Sequence, residues 1–110
     1  MTITFADKKL GKMVSDYALC CKKMGQIRAR ILSLRVYSLE RSETLEEVRN
    51  MPGRFHELSG NRKGQWACDL DHPYRLIFKP LDQPIPCNKD GQYDWSEIKS
   101  IEIVEITDYH

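Results

Sequence analysis

Three histidines stand in the 110-residue chain, at His56, His72 and His110. Imidazole titrates near neutrality, so two of them can share the roles of acid and base at physiological pH. His56 lies in the run Arg54-Phe55-His56-Glu57-Leu58-Ser59-Gly60-Asn61-Arg62-Lys63-Gly64-Gln65-Trp66, beside a glycine-flanked basic turn. His110 closes Ile106-Thr107-Asp108-Tyr109-His110, whereas His72 falls in an Asp71-His72-Pro73 turn outside both runs. Arg75, in Tyr74-Arg75-Leu76-Ile77-Phe78, carries a planar fork of donors that matches a phosphate. Tyr109 offers a ring for stacking or packing, and Asp108 a carboxylate that orients a histidine. The cysteines suggest neither metal nor disulfide chemistry: Cys20 and Cys21 are adjacent, Cys68 and Cys87 stand alone, and no C-x-x-C pair occurs. Reduced thiols fit a reducing cytoplasm.

These residues need a scaffold, and the composition describes an ordinary one. With 41% hydrophobic and 30% charged residues the chain reads as one globular domain over 1–110 rather than a disordered segment. No apolar run approaches the ~20 residues of a membrane span, so no membrane partner and a cytoplasmic location are expected. The net charge is +1, but residues 1–60 hold eleven basic and seven acidic side chains, and residues 61–110 six and nine. Between 8 and 35 eight basic residues face the single Asp16. Such a stretch attracts RNA or an acidic partner, or forms a solvated helix face.

Helical spacing after Asp7 joins Leu10, Met13, Val14, Tyr17, Cys21 and Met24 in one stripe that ends at Gly25. A second stripe, Ile27, Ile31 and Leu34 with Leu32, Val36 and Leu39, predicts a second helix, with Arg28 and Arg35 sharing its outward face. The capping-box pattern Thr44-Leu45-Glu46-Glu47 predicts a short third helix ended by Met51-Pro52-Gly53. Strands are predicted at Ile3–Phe5, Phe55–Leu58, Gln65–Leu70, Tyr74–Lys79 and Ile98–Thr107, with an irregular loop over 80–97. Trp66, in mid-strand, is assigned to the core. Helices first and strands afterwards make an α+β domain: a helical hairpin packed on a mostly antiparallel sheet of four to five strands.

In order and spacing, Arg54–Trp66, Tyr74–Phe78 and Ile106–His110, with the opening Phe5-Ala6-Asp7-Lys8-Lys9-Leu10, resemble the HigB-like branch of the RelE/ParE toxin superfamily. The resemblance covers nearly the whole chain except the 80–97 loop. It implies the toxin of a type II toxin–antitoxin pair, cutting messenger RNA on the ribosome without metal or other cofactor. The implied partners are a HigA-like helix-turn-helix antitoxin, messenger RNA and small-subunit ribosomal RNA, with operator DNA reached only through the antitoxin complex. Metal-free RNA cleavage uses the 2′-hydroxyl as nucleophile, so the protein supplies a base, an acid and charge for the phosphorane.

Carried over residue by residue, the resemblance matches His56, Asp108, Tyr109 and His110 to active-site positions, and Arg75 to a strand arginine. Arg62, Lys63, Lys22, Lys23, Arg28 and Arg35 are the expected RNA contacts. The chain departs from the branch at Ser59, where lysine is general, and at Asn61, where aspartate is frequent. Serine brings no positive charge to the phosphorane, so slower cleavage is expected unless Arg62 or Lys63 supplies it. The alternatives are a binding toxin that poisons DNA gyrase, as ParE relatives do, and a member whose catalysis has decayed.

Overall fold

The structure, a computed structural model, describes residues 1–108; the expected site residues Tyr109 and His110 lie outside them. In chain order the elements are β1 (Thr2–Phe5), α1 (Lys8–Ser15), α2 (Tyr17–Met24), α3 (Gln26–Arg41), a 3-10 helix (Leu45–Asn50), β2 (His56–Glu57), a 3-10 turn (Gly60–Arg62), β3 (Trp66–Asp69), β4 (Tyr74–Pro80), a 3-10 turn (Trp95–Glu97) and β5 (Ser100–Asp108). The five strands form one sheet in the order β1-β5-β4-β3-β2. β1 runs parallel to β5, and every other pairing is antiparallel. The α+β expectation holds.

The expected first helix is two. Asp16 adopts an extended backbone (φ −125°, ψ 100°), ends α1 and caps α2, its carboxylate accepting the Leu19 N–H at 3.1 Å. Aspartate competes for backbone donors in this way and favours a cap over a helix interior. The predicted stripe is therefore broken at Tyr17, which is 47% exposed. α3 buries Ala29, Leu32 and Leu39, leaving Ile27 and Leu34 73% and 54% exposed. The helical period is as expected and the phase is not, because Arg28 and Arg35 do not face outward. Arg28 donates to both Asp71 oxygens at 2.8 and 3.1 Å, with its guanidinium 3.5 Å from the centre of the Tyr74 ring. Arg35 Nε donates to the Asp69 carbonyl at 2.8 Å. Both guanidiniums find partners at the β3–β4 end of the sheet, and the apolar stripe turned inward is the one beside them.

The third helix is 3-10, and its capping box is not closed: Thr44 makes no side-chain cap, while Glu47 accepts the Glu43 N–H at 2.9 Å. The 80–97 segment is more ordered in its second half than its prolines suggest. Trp95 is buried edge-on against Trp66 at 5.5 Å and against Tyr93 at 5.2 Å, and Cys87 bridges to Tyr93. Trp66 is fully buried, as assigned.

The helices cover one sheet face. Cys20, Ala29, Leu32 and Leu39 form a continuous cluster with Trp66, Cys68, Leu76, Phe78, Ile101 and Ile103. Strand alternation sends the intervening residues to the other face. A β-bulge, where Ile77 pairs with Glu105 but Phe78 with Ile103, keeps Ile103 in the core and Glu105 on that far face.

The Arg28–Asp71 clasp ties α3 to the β3–β4 turn. Hydrogen bonding to Arg28 holds the Asp71 carboxyl below its ordinary 3.8. A carboxylate whose folded pKa is depressed stabilises the fold above its unfolded pKa, and that contribution fades as pH falls through the folded value. Asp71→Asn is expected to cost about 1 kcal/mol at pH 7, as partly exposed pairs do. In urea denaturation its deficit against wild type should shrink as the pH is taken below 3.8.

Candidate active site

Strand register lines up His56, Ala67, Ile77 and Glu105 as one row across β2, β3, β4 and β5 on the open face. The next row toward the β3–β4 turn holds Asp69, Arg75 and Thr107. His56 and Arg75 therefore share a face, two strand spacings and one two-residue step apart, roughly 12 Å between Cα atoms.

His56 is set by the turn before it. Gly53 has φ +119°, and a Cβ there would lie 2.5 Å from Arg35 Nε. Arg54 also takes a left-handed conformation, φ +53°, which is uncommon for a side-chain-bearing residue. Its carbonyl then meets His56 Nδ1 at 2.6 Å. A carbonyl only accepts, so Nδ1 carries the proton and, in the neutral ring, Nε2 keeps its lone pair. That is the tautomer a general base needs.

Asp69 organises the arginines. Its carboxylate lies 3.1 Å from Arg54 Nε and 3.6 Å from Arg75 Nε, and its N–H donates to the Gly53 carbonyl at 2.8 Å. Arg62 leaves the Gly60–Arg62 turn and reaches across the His56 row, donating to Gln65 at 2.8 Å and to Glu105 at 3.2 Å. Among the described residues, Arg54, Arg62 and Arg75 share this face with Asp69 and Glu105.

The remaining expected residues are dispersed. Asp108 pairs with Tyr74, so alternation places it on the helix-side face rather than with Arg75 and Thr107. The Lys63 ammonium sits 5.7 Å from the Tyr93 ring, toward the 80–97 segment. Lys22 and Lys23 are exposed in the last turn of α2. Arg28 and Arg35 are engaged on the helix side of the sheet, as described above. The structure thus gathers His56, Arg75 and Arg62, and it adds Arg54, Asp69 and Glu105, which sequence reasoning did not single out. Alternation within Trp66-Ala67-Cys68-Asp69 already set Asp69 opposite the buried Trp66 and Cys68, which was the available signal. The buried Cys68 thiol is pushed up by desolvation, and the Cys20 thiol likewise, so neither is a nucleophile.

Among solved structures, the YoeB–YefM complex from Staphylococcus aureus is similar with TM-score 0.58 and 17% identity, over 100% of this chain and 97% of that one. The YoeB dimer from the same organism gives TM-score 0.58 and 16% identity, again over 100% and 97%. A YoeB/ParE toxin from Agrobacterium tumefaciens gives 0.55 and 8% identity over 100% of both chains. The chain has the fold of these toxins. This is the RelE-like architecture that the sequence resemblance implied, and at such identities the likeness is one of fold. No family model and no curated protein matches the sequence.

The turn that aims His56 gives a direct test. Gly53→Ala combines a forbidden φ with a clash against Arg35 and is expected to cost about 2–3 kcal/mol in denaturant unfolding. Arg54→Gly relieves the left-handed strain and should be near neutral in stability.

Proposed function

We propose that this chain is the toxin of a type II toxin–antitoxin pair and cleaves messenger RNA on the ribosome with its own side chains as acid and base. The observation that carries the reading is His56, its Nδ1 held by the Arg54 carbonyl, on the same open face as Arg75. The shared fold supports it. In this mechanism His56 Nε2 takes the 2′-hydroxyl proton, and the 2′-oxygen attacks phosphorus. The P–O5′ bond breaks, leaving a 2′,3′-cyclic phosphate and a 5′-hydroxyl whose proton comes from an acid, the role assigned to His110. Arg75 offers donors to the phosphorane oxygens and Tyr109 stacks on a base, while Asp108, on the helix-side face, is set aside from this chemistry.

Ser59 is exposed at the head of the Gly60–Arg62 turn, with its carbonyl accepting the Arg62 N–H at 3.2 Å. Neither neighbour replaces the missing lysine: Arg62 is paired with Glu105 at 3.2 Å, and the Lys63 ammonium lies against Tyr93. The site as written is short of one mobile charge, which slows cleavage without abolishing it.

The antitoxin reading has its own surface. S. aureus YoeB is seen in complex with YefM, and here a groove of about 940 Å³ runs between α1, α2 and β5. Leu10, Met13 and Ile106 make it apolar, and Lys8, Lys9, Lys12 and Lys23 outnumber Asp7, Asp16 and Glu105 along it. An acidic segment of the cognate antitoxin with apolar anchors fits both features. This use of the basic stretch replaces much of the RNA contact expected of it, since Arg28 and Arg35 are engaged internally.

Induced expression followed by mapping of messenger-RNA ends, with and without ribosomes, tests the activity. Wild type should yield new 5′-hydroxyl ends on ribosome-bound messages. His56→Ala and Arg75→Ala should each lower cleavage about 10²- to 10⁴-fold, and Ser59→Lys should raise it. DNA breaks with intact messages would establish the gyrase-poison reading instead. Lys8→Glu combined with Lys12→Glu and Lys23→Glu should weaken antitoxin binding at least tenfold in titration calorimetry.

A further inference from the structure

At the β2 edge of the sheet lies a cavity of about 650 Å³ that the cleavage mechanism does not use, lined by Glu57, Lys63, Gly91, Gln92, Tyr93 and Trp95. Its volume falls within the ~300–1,000 Å³ usual for small-molecule sites. Two parts of the chain build its walls. Glu57 belongs to β2, the last strand of the sheet, and Lys63 follows the Gly60–Arg62 turn. The other four residues come from the 80–97 segment, the part of the chain that the toxin resemblance leaves uncovered.

That segment is locally well tied. Asn88 Oδ1 accepts the N–H groups of Asp90 and Gln92 at 2.9 and 3.1 Å, and the Asn88 N–H donates to the Gln92 carbonyl at 2.8 Å. The segment seats on the basic turn at Gly64, where an added Cβ would come within 3.1 Å of Ile85. Trp95 is buried against Trp66, and half-buried Tyr93 stands edge-on to Trp95 with the Lys63 ammonium 5.7 Å from its ring centre. Across the cavity Glu57 is held by Arg49, which lies 4.8 Å from the Trp66 ring and donates to Glu57 Oε2 at 2.8 Å.

An aromatic ring, an ammonium and a carboxylate around one cavity suit a nucleotide. The ring stacks on a base, the ammonium meets a phosphate, and the carboxylate, which only accepts, selects a base edge that donates. Guanine sets N1–H and N2–H side by side on that edge. Adenine and cytosine place a ring nitrogen beside their amino group, and uracil flanks its single N–H with carbonyls, so each of them brings an acceptor against the carboxylate. An arginine of a protein partner has comparable donors, but the Lys63 ammonium repels it. We infer that this cavity takes an unpaired guanine of the RNA, near the cut nucleotide, stacked on Tyr93 and hydrogen-bonded to Glu57, with Lys63 on its phosphate. The inference rests on the RNA-cleaving reading above and deepens it. His56 and Glu57 are consecutive residues of one edge strand and point to opposite faces, so a strand held at His56 reaches the cavity by passing round that edge. Tyr93, Glu57 and Lys63 select and hold substrate without entering the chemistry.

A short 2′-O-methyl oligoribonucleotide with one guanine among uracils lacks the nucleophile and stays uncut, so its affinity reads binding alone. In fluorescence anisotropy at low salt, wild type should bind it about tenfold more tightly than the same probe with an abasic site in place of the guanine. Tyr93→Leu keeps apolar bulk but removes the ring, and should bind both probes equally; Tyr93→Phe should keep the difference. Glu57→Gln should narrow the preference for guanine over adenine, and Lys89→Ala, a charge removed from the same segment outside the cavity, should leave it unchanged. Equal thermal unfolding of variants and wild type shows that the fold is kept. Mapped messenger-RNA ends should show guanine at a fixed offset from the cut in wild type, and Tyr93→Leu should still cut while losing that bias. If messages are cut but neither the probes nor the ends show a Tyr93-dependent guanine, the pocket is overturned and the nuclease reading stands. If guanosine monophosphate binds through Tyr93 while the oligonucleotides are not discriminated, the cavity takes a free nucleotide and the RNA subsite is again overturned. A wild type that leaves messages intact and binds no oligonucleotide removes both readings.

Discussion

Asp69 is the residue on which the site depends. Its carboxylate lies between Arg54 and Arg75, its N–H holds the Gly53 carbonyl, and its own carbonyl accepts Arg35 from α3. One residue thereby links the helical layer, the turn that precedes His56 and the strand that carries Arg75. Each link is modest, since partly exposed ion pairs and single hydrogen bonds contribute about 1 kcal/mol apiece. Their convergence is what matters: Asp69 cannot shift without moving both the turn that presents the Arg54 carbonyl to His56 and the guanidinium of Arg75. The candidate site is held by elements that belong to the sheet, and a site on such elements is held more closely than one on free loops.

The sheet also separates two kinds of surface. Its helix-side face is committed to packing, with Trp66, Phe78 and Ile103 against Leu32 and Leu39. The far face carries fully buried Ala67 and Ile77 under a layer of paired charges, among them Arg62 reaching to Glu105. A polar network over a small apolar strip keeps its members oriented, and it presents donors to an anion without a fully buried charge. The lysines of α1 and α2 belong to a different surface again, an apolar groove beside β5. The groove meets the His56 row at Glu105, so the substrate and inhibitor readings border one another.

Much of this was legible in the sequence. Strand alternation and the change of period after Gly53 located four of the five strands that build the sheet and set Trp66 inside, and the opening Ile3-Thr4-Phe5 supplied the fifth. What escaped was set by tertiary partners. Asp16 looks like one polar position in a long stripe until its cap to Leu19 is seen. The outward placement of Arg28 and Arg35 follows from periodicity alone, and only Asp71, Tyr74 and the Asp69 carbonyl, more than thirty residues away, reverse it. In the site, residue types singled out His56, Arg75 and Arg62, whereas Arg54 and Asp69 act through backbone conformation and cross-strand register, which a list of residue types does not contain.

The central claim is that this chain cuts RNA through the substrate's own 2′-hydroxyl, with His56 as base. It is tested most directly with ribosomes programmed with a message in which the cleaved nucleotide is replaced by its 2′-deoxy form. Cleavage should disappear at that nucleotide alone, and the unmodified message should yield a 2′,3′-cyclic phosphate and a 5′-hydroxyl. Cutting that persists at the deoxy position, or ends that carry a 5′-phosphate, would contradict it.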